Sequence, residues 1–229
     1  MISTPIGNLG DITCRAVETL QKMDIVAAED TRHSGLLLKH FQIKTKLCSF
    51  HDYNKEKQLP YLLRELQSGK NIGLISDAGT PGISDPGFSL IHACITAMIP
   101  IVPVPGATAF VPALIVSGLP LHRFVFEGFP PVKKGRKTFF ECLKNEERTI
   151  ILYESPHRLL KTIKAIGEYL GNRKIVVARE ITKKFEEFIR GTAQELIEEF
   201  THRPRKGEIV IIVDGYKSEH KQRRMKNET

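Results

Sequence analysis

The chain has 229 residues, of which 41% are hydrophobic and 26% charged; this suffices for one or two cores and argues against wholesale disorder. No apolar stretch approaches the roughly 20 residues that a membrane-spanning helix needs. The N-terminus also lacks a basic segment followed by an apolar one, so we expect a cytoplasmic protein with no membrane partner. The formal net charge of +8 favours an anionic partner such as nucleic acid.

Common cofactor and metal motifs are missing from the sequence. The four cysteines are scattered and form no C-x-x-C, which argues against a disulfide scaffold in a chain of this length. Cysteine and histidine never cluster at the spacing of metal ligands, so we predict no metal site. The chain contains no G-x-G and no P-loop motif, which excludes the usual dinucleotide and nucleoside-triphosphate sites.

Helix and strand patterns alternate along the first half of the chain. Apolar residues at helical spacing predict a helix in "DITCRAVETLQKM", with Asp11 as its N-cap, and another in "KEKQLPYLLRELQSG", which Gly69 ends. Asp85 and Pro86 are expected to begin a third helix, and "ATAFVPALIVSG" is a fourth. Short apolar runs predict buried strands in "MDIVAAED", "NIGLIS" and "IPIVPVPG".

The second half repeats this alternation, which is typical of α/β architecture. A helix is expected to follow Ser155-Pro156, and Thr192 with Glu195 forms the capping box of another helix. Strands are predicted in "TIILYE", "KIVVAREI", "FEEFIRG" and "GEIVIIVDG". Gly118 and Pro120 break the chain between the halves. We therefore predict an N-terminal α/β domain over 1–119, a C-terminal α/β domain over 120–216, and a basic flexible tail over 217–229.

Five loops rich in glycine, proline or acidic residues follow predicted strands. In an α/β sheet such loops converge at the carboxyl ends of the strands, where ligands bind. Glycine lets the backbone approach a ligand closely, and proline keeps a loop rigid. The central loop of the five, residues 76–87, carries carboxylates rather than lysines. This favours a ligand with hydroxyls or positive charge, such as S-adenosylmethionine. The loops cover residues 3–11, 28–32, 76–87, 104–109 and 153–158.

Long stretches of the sequence also resemble one protein family. They are "TPIGNLGDIT", "AAEDTRHSGLLLKHF", "LISDAGTPGISDPG", "VPVPGATAFVPALIVSGLP", "FEGFPP", "YESPHRL" and "KGEIVIIV". Over roughly residues 2–215 the chain resembles the rRNA-modifying members of the tetrapyrrole-methylase superfamily, the class III methyltransferases. Family members carry a few more apolar residues before "TPIGN", so either the start is trimmed or the first strand is short here.

This resemblance implies two α/β domains with S-adenosylmethionine in a cleft between them. It implies a homodimer that methylates the 2′-oxygen of a cytidine in the decoding region of 16S rRNA, either as free rRNA or within the 30S ribosomal subunit. Asp77 would bind the ribose or the methionine amine, although an Asx-turn is an alternative interpretation. Tyr153 would pack near the adenine or be a partly buried aromatic. The expected cofactor-binding residues are Pro5, Ile6, Asp77, Ala78, Gly79, Thr80, Ile83, Ser84, Thr108, Ala109 and Tyr153.

Methyl transfer from a sulfonium displaces a good leaving group, so positioning supplies much of the acceleration and a general base is helpful but not required. Glu29 and Asp30 are the leading base candidates because they directly follow a predicted strand. An ion pair between this loop and Arg32 is at least as good an interpretation. The other candidates are His51, Glu154, His157 and Glu180.

Basic residues in the three stretches "PVKKGRKTFF", "TRHSG" and "ESPHR" are the candidates for phosphate contacts. "PVKKGRKTFF" is the strongest of them, since its cations are flanked by aromatic residues. The expected RNA-binding residues are Arg32, His33, Lys133, Lys134, Arg136, Lys137 and Arg158. Two alternatives remain open: a small-molecule methylase that acts on a tetrapyrrole-type ring, and a nonenzymatic RNA-binding protein that binds no cofactor.

Overall fold

The computed structural model describes residues 1–84 and 87–217. The expected helix start at Asp85 and Pro86, and the expected tail from 218 onward, therefore lie outside the described residues. The chain divides into two compact units, the first over Met1–Thr108 and the second from Ala109 onward. This division falls earlier than the boundary expected at 119/120, because the helix Phe110–Ile115 packs against strands of the second unit.

The first unit is built on a parallel sheet with the strand order β2-β1-β3. The strands are β1 (Ile25–Ala28), β2 (Lys46–Ser49) and β3 (Ile72–Ile75). The helices are α1 (Cys14–Gln21), α2 (Thr31–His40), α3 (Lys55–Gln67) and α4 (Phe88–Thr96). Parallel strands need crossover connections, and α2 and α3 supply them here.

Strand β1 is covered on both faces, which explains why all four of its residues are buried. Val26 and Ala28 belong to a core cluster that includes α1 residues such as Leu20. Ala27 points to the opposite face, where it joins a second cluster with Leu62 of α3. A strand that is buried on both faces has a continuous run of hydrophobic residues in its sequence, and "IVAA" is such a run.

The expected short first strand is a bridge beside β3 rather than a full strand. The Ile2 N–H donates to the Leu74 carbonyl at 2.9 Å, and Ile2 forms a parallel bridge with Val104. The segment predicted as a strand in "IPIVPVPG" contributes only this bridge, because prolines 100, 103 and 105 cannot donate ladder hydrogen bonds. Ile2 is buried and so anchors the chain start to the sheet.

The second unit contains a mixed sheet with the order β4-β5-β8-β6-β7, in which β4 and β5 are parallel and the other pairs antiparallel. Its strands are β4 (Phe124–Gly128), β5 (Thr149–Glu154), β6 (Lys174–Arg179), β7 (Glu187–Thr192) and β8 (Ile209–Val213). Its helices are α5 (Phe110–Ile115), α6 (Arg136–Cys142), α7 (Leu159–Leu170) and α8 (Ala193–His202).

One expected helix start differs in the structure and one is confirmed. The N-cap of α1 is Thr13, whose hydroxyl accepts the Ala16 N–H at 3.0 Å, whereas Asp11 lies in a preceding 3-10 turn. Helix α4 begins at Phe88 with Gly87 as its N-cap. The capping box of α8 is confirmed, since the Thr192 N–H donates to the Glu195 carboxylate at 2.7 Å.

A buried polar network joins β5, α6 and α7 in the second unit. The Glu154 carboxylate at the end of β5 is buried and pairs with the Arg158 guanidinium at 3.1 Å. It also accepts the Thr162 hydroxyl, and Thr162 in turn accepts a hydrogen bond from Arg136 Nη2 at 2.7 Å. A second Arg136 nitrogen donates to the Pro131 carbonyl at 3.0 Å. The network therefore ties the "FPPVKKG" loop to helix α7.

This network corrects the expectation that Arg136 contacts RNA phosphate. Arg136 is 8% exposed, its guanidinium is hydrogen-bonded within the protein, and burial lowers its pKa while the nearby Glu154 carboxylate opposes that shift. Arg158 likewise forms an ion pair with Glu154 and donates a hydrogen bond to the Pro130 carbonyl. A buried carboxylate needs charged partners, and here Arg158 pairs with Glu154 directly while Arg136 reaches it through the Thr162 hydroxyl.

We predict that Arg136→Met destabilises the protein by about 3 kcal/mol, because it removes a cation from the network around the buried Glu154 carboxylate and leaves the Pro131 carbonyl and the Thr162 hydroxyl without its hydrogen bonds. Urea unfolding followed by circular dichroism measures this change. The matched control is Lys133→Met on the same loop, where the side chain is exposed and a change within about 0.5 kcal/mol is expected. Equal stabilities of the two variants would contradict a structural role for Arg136.

Candidate functional site

Four of the five predicted loops meet at one edge of the first sheet. Residues Ala28 and Ile75 are register partners at the carboxyl ends of β1 and β3, so the loops that follow them emerge side by side. The bridge at Ile2 and Val104 brings the loops 3–11 and 104–108 to the same edge. The sequence predicted that all five loops converge at one edge, and these four do so; we call them the loop cluster. The fifth loop, 153–158, belongs to the second unit.

Reciprocal backbone hydrogen bonds lock the first loop to the central loop. The Thr4 N–H donates to the Gly79 carbonyl at 2.8 Å, and the Gly79 N–H donates to the Thr4 carbonyl at 3.2 Å. Side chains extend the connection, since the hydroxyls of Ser3 and Thr80 lie 2.9 Å apart and the Thr80 hydroxyl contacts the Ala107 carbonyl at 3.0 Å. Three loops from distant parts of the chain are thereby held as one structure.

Glycine is required at position 79 for conformation and for space. Its φ of +83° lies in the left-handed region, and a Cβ there would stand 3.2 Å from an Ile6 methyl and 3.3 Å from the Ala107 carbonyl oxygen. Its N–H and carbonyl both bond Thr4. We therefore assign Gly79 to shaping the loop rather than to donating a hydrogen bond to a ligand.

Asp30 and Asp77 have different roles in the loop cluster. Asp30 is the N-cap of α2, and its carboxylate accepts the Arg32 N–H at 2.8 Å and the Arg32 guanidinium at 2.8 Å. These bonds hold the pKa of Asp30 well below its usual range. Asp77 Oδ1 accepts the Asp30 N–H at 3.0 Å and so connects loop 28–32 to the central loop. A carboxylate with a low pKa is a weak proton acceptor, which disfavours Asp30 as a general base.

A cavity of about 280 Å³ opens beside this cluster, and we call it the α2 cavity. Helix α2 supplies one wall with residues spaced so that they share a face: His33, Leu36, Leu37 and His40. The other lining residues come from the first loop, the central loop and the buried side of α2: Thr4, Pro5, Gly7, Leu9, Ser34, Ser76 and Asp77. The cavity is lined by leucines and hydroxyl groups, with no lysine or arginine among these residues.

The other expected cofactor residues are split between the two units. Ala78 and Ser84 are exposed, Ile83 and Thr108 are half-buried, and Ile6 is buried against the central loop. Ala109 and Tyr153 belong to the second unit. There, the Tyr153 ring lies 5.0 Å from Phe126 and 5.6 Å from Phe129 in edge-on contacts, which matches the interpretation of a partly buried aromatic.

The remaining base candidates lie in diverse surroundings. Glu29 is half-buried, and His157 is exposed. His51 is half-buried, and its Nδ1 has no partner within the described chain. Glu180 accepts the Glu208 N–H at 3.0 Å and pairs with Lys183 at 3.2 Å, so its carboxylate holds a loop of the second unit in place.

The exposed candidates for phosphate contact are fewer than expected. Lys133, Lys134 and Lys137 are exposed around the start of α6, and Lys137 forms only a loose surface pair with Glu141 at 3.7 Å. Arg32 and His33 are exposed at the start of α2.

The described residues hold no cluster that could bind a metal ion and no helix long and apolar enough to cross a membrane. All four cysteines are free.

Sequence reasoning missed one residue of the α2 cavity that has an unusual environment. Ser34 is 2% exposed, and its hydroxyl has no hydrogen-bond partner among the residues that the structure describes. The available signal was a serine placed four residues before Leu38, on the buried side of an amphipathic segment. That signal became usable only once "TRHSGLLLKH" was known to be a helix.

Comparisons with known proteins identify the family. Residues 1–197 match the family model for tetrapyrrole (corrin/porphyrin) methylases. A relative from Synechocystis sp. named ribosomal RNA small subunit methyltransferase I is 55% identical over 94% of this chain and 78% of its own length. A relative of the same name from Escherichia coli O157:H7 is 49% identical over 96% of this chain and 78% of its own length.

Solved structures show the same fold. A cobalamin biosynthetic enzyme, cobalt precorrin-4 methyltransferase, superposes with a TM-score of 0.69, covering 93% of this chain and 92% of its own, at 20% identity. At that identity the likeness concerns the fold alone. The predictions of a two-domain α/β fold, of a methyltransferase and of its methyl donor are confirmed. The chain belongs to the tetrapyrrole methylase family and is a methyltransferase that uses S-adenosylmethionine.

Proposed function

We propose that this methyltransferase transfers a methyl group from S-adenosylmethionine to the 2′-oxygen of a cytidine in the decoding region of 16S rRNA. The observation that carries the proposal is the 55% identity, over 94% of the chain, to a relative named for methylation of small-subunit rRNA. A match this long covers the loop cluster and the exposed lysines together. The cytidine and its 2′-oxygen come from the resemblance of the motifs to the rRNA-modifying members of the family.

The loop cluster of the first unit suits the cofactor chemically. A sulfonium and an amine carry positive charge, and no lysine or arginine lines the adjoining cavity to repel them, while the nearby Asp77 carboxylate makes the surroundings negative. Ala78 is exposed at the tip of the central loop, next to the hydrogen-bonded Thr80. We propose that main-chain groups of Asp77, Ala78 and Thr80 contact the cofactor, with Pro5 and Thr108 beside them and Gly79 keeping the loop in shape.

Bound S-adenosylmethionine supplies an electrophilic methyl group on a good leaving group. The residues of the loop cluster then have a positioning task, since rate in such a displacement depends on the alignment of nucleophile, methyl and leaving group. The Thr4–Gly79 bonds and the Asp30–Asp77 bond hold three loops in fixed register for this purpose. Glu29 remains a proposed base, because the Asp30 carboxylate is engaged by Arg32.

The proposed partner is 16S rRNA, free or within the 30S subunit, and this substrate would place the protein in the cytoplasm. Lys133, Lys134 and Lys137 are the proposed phosphate contacts in the second unit, and Arg32 and His33 those in the first. The family resemblance adds a homodimer to the proposal. The main competing function is methylation of a tetrapyrrole-type ring, which the family's description favours.

Methyl transfer to undermethylated 30S subunits is the decisive test. Incubation of the protein with subunits and with methyl-labelled S-adenosylmethionine should place the label on one cytidine ribose of 16S rRNA, as read by nuclease digestion and mass spectrometry. Free 16S rRNA and a uroporphyrin-type ring serve as parallel substrates. Label on the ring, with none on either form of the RNA, would reject the rRNA proposal in favour of its competitor.

The cofactor assignment predicts a steric effect at Ala78. Ala78→Phe should weaken S-adenosylmethionine binding at least about tenfold, or about 1.4 kcal/mol, because the new ring would occupy the exposed tip of the central loop. Titration calorimetry measures the affinity. Ala97→Phe, at another exposed alanine of the first unit, should bind the cofactor as the parent protein does. Equal affinities of the two variants would remove Ala78 from the cofactor site.

The lysine assignment predicts a change in salt dependence. Replacing Lys133, Lys134 and Lys137 with alanine should weaken RNA binding and reduce the slope of log affinity against log salt by about 2, since each phosphate contact on single-stranded RNA contributes about 0.7. Filter binding at several potassium chloride concentrations gives the slope.

The matched control neutralises three other exposed lysines of the second unit. These are Lys144, Lys161 and Lys164. Their removal changes the net charge equally, so a general charge effect would lower both slopes alike. A specific phosphate contact lowers only the slope of the first variant. Identical slopes for both variants would show that Lys133, Lys134 and Lys137 are not the RNA site.

A further inference from the structure

The α2 cavity contains a hydroxyl group that the protein itself leaves without a partner. Ser34 Oγ is buried and accepts or donates no hydrogen bond within the described chain. A buried serine on a helix ordinarily donates to the carbonyl four residues earlier. Three threonines of this protein make that bond, Thr19 to Arg15, Thr96 to His92 and Thr201 to Ile197. Ser34 departs from this pattern.

The other hydroxyls of the α2 cavity are already used. Thr4 Oγ1 donates to the Ser76 and Gly79 carbonyls at 3.2 and 3.3 Å, and Ser76 Oγ lies 3.4 Å from the carbonyls of Ala78 and Gly79. Both residues therefore hold the central loop together. A buried polar group without a partner costs stability, and such groups in native proteins call for an explanation, of which a ligand is one.

The Asp77 carboxylate is the second group of the cavity with spare hydrogen-bonding capacity. A carboxylate has about four acceptor positions, and the Asp30 N–H takes one of them. The cavity therefore offers a negatively charged acceptor from the central loop and a neutral hydroxyl from α2. The same cavity is also lined by the apolar side chains of Leu36, Leu37 and Pro5, which suit the faces of a flat ring.

The size of the α2 cavity selects among flat ligands. Its volume of about 280 Å³ is just below the roughly 300–1,000 Å³ range of small-molecule sites. A single heterocycle with part of its sugar fits this space, whereas a four-ring tetrapyrrole does not. Single-stranded RNA is read in this way, by bases that leave the stack and are hydrogen-bonded on their edges.

We propose that the α2 cavity binds the cytosine base of the target nucleotide, an inference that rests on the proposed rRNA methylation. The Asp77 carboxylate accepts a hydrogen bond from the exocyclic N4 amino group, and the Ser34 hydroxyl donates to the adjacent ring N3, which is an acceptor in cytosine but an N–H donor in uracil. Uracil carries a carbonyl oxygen in place of the amino group, and that oxygen is repelled by the carboxylate. The cavity shares Asp77 with the central loop, so a base bound there has its ribose attached next to the proposed cofactor contacts.

Binding of two short oligoribonucleotides tests this assignment directly. The two are identical except for a single central cytidine or uridine, and their affinities are measured by fluorescence anisotropy with the full chain saturated with S-adenosylhomocysteine. The parent protein should bind the cytidine oligonucleotide about tenfold more tightly. Ser34→Ala, which removes one oxygen from a buried site, should lose most of that preference and bind the uridine oligonucleotide unchanged.

A second variant tests the cavity without changing a buried residue, so that a local folding effect of Ser34→Ala cannot be mistaken for loss of base binding. Leu36 is 68% exposed at the cavity, so Leu36→Trp blocks the space without disturbing the core and should abolish the preference for cytidine. Val102→Trp is the matched control at a residue of the same unit that is 67% exposed and outside the cavity lining, and it should keep the preference.

The outcomes separate this proposal from the proposed function. Equal binding of the two oligonucleotides by the parent protein, no binding of the cytidine form, or an intact preference in Ser34→Ala would overturn the cavity assignment. A loss of S-adenosylmethionine affinity in Ser34→Ala, measured by calorimetry, would assign the cavity to the cofactor instead. Methyl transfer to 30S subunits by the parent protein reports on the proposed function alone, whatever the oligonucleotide result.

Discussion

The paired backbone hydrogen bonds between Thr4 and Gly79 are the interaction on which the candidate site depends. They join loops that are 75 residues apart in sequence, and they do so through main-chain atoms. Position 79 favours glycine, because its φ of +83° is in the left-handed region and a Cβ would be crowded by Ile6 and the Ala107 carbonyl. The requirement for glycine, proline and small polar residues in these loops therefore follows from close backbone packing as much as from ligand binding.

The part of the structure that was predictable from sequence is the part set by local patterns. "IVAA" and "TIILYE" are strands because they are buried on both faces, and the capping box of α8 is a four-residue motif. The convergence of four loops was also predictable, since parallel strands place their carboxyl ends at one edge. Helix α2 was missed as an element, because Gly35 and two histidines weaken the helical pattern of "TRHSGLLLKH".

Features that depend on distant partners were not predictable. The antiparallel pairing of β8 between β5 and β6 joins segments that no local pattern connects. Arg136 and Lys137 are neighbours in one basic stretch, yet the first is buried and the second is exposed. The difference arises from Glu154, whose burial at the end of β5 demands cations, and from the turn of α6, which directs only one of the two side chains toward it. Charge in a sequence does not reveal which cation such a carboxylate will recruit.

The distribution of acidic groups fits an enzyme that works by alignment. Enzymes that depend on proton transfer shift the pKa of a catalytic group toward the working pH. Here the strongly shifted carboxylate of the loop cluster is Asp30, and the shift runs downward because the group caps α2 and binds Arg32. Asp77 is likewise tied to a backbone N–H. A sulfonium methyl requires no strong base, so these carboxylates can hold the loops in place and recognise polar hydrogens while reaction geometry supplies the rate.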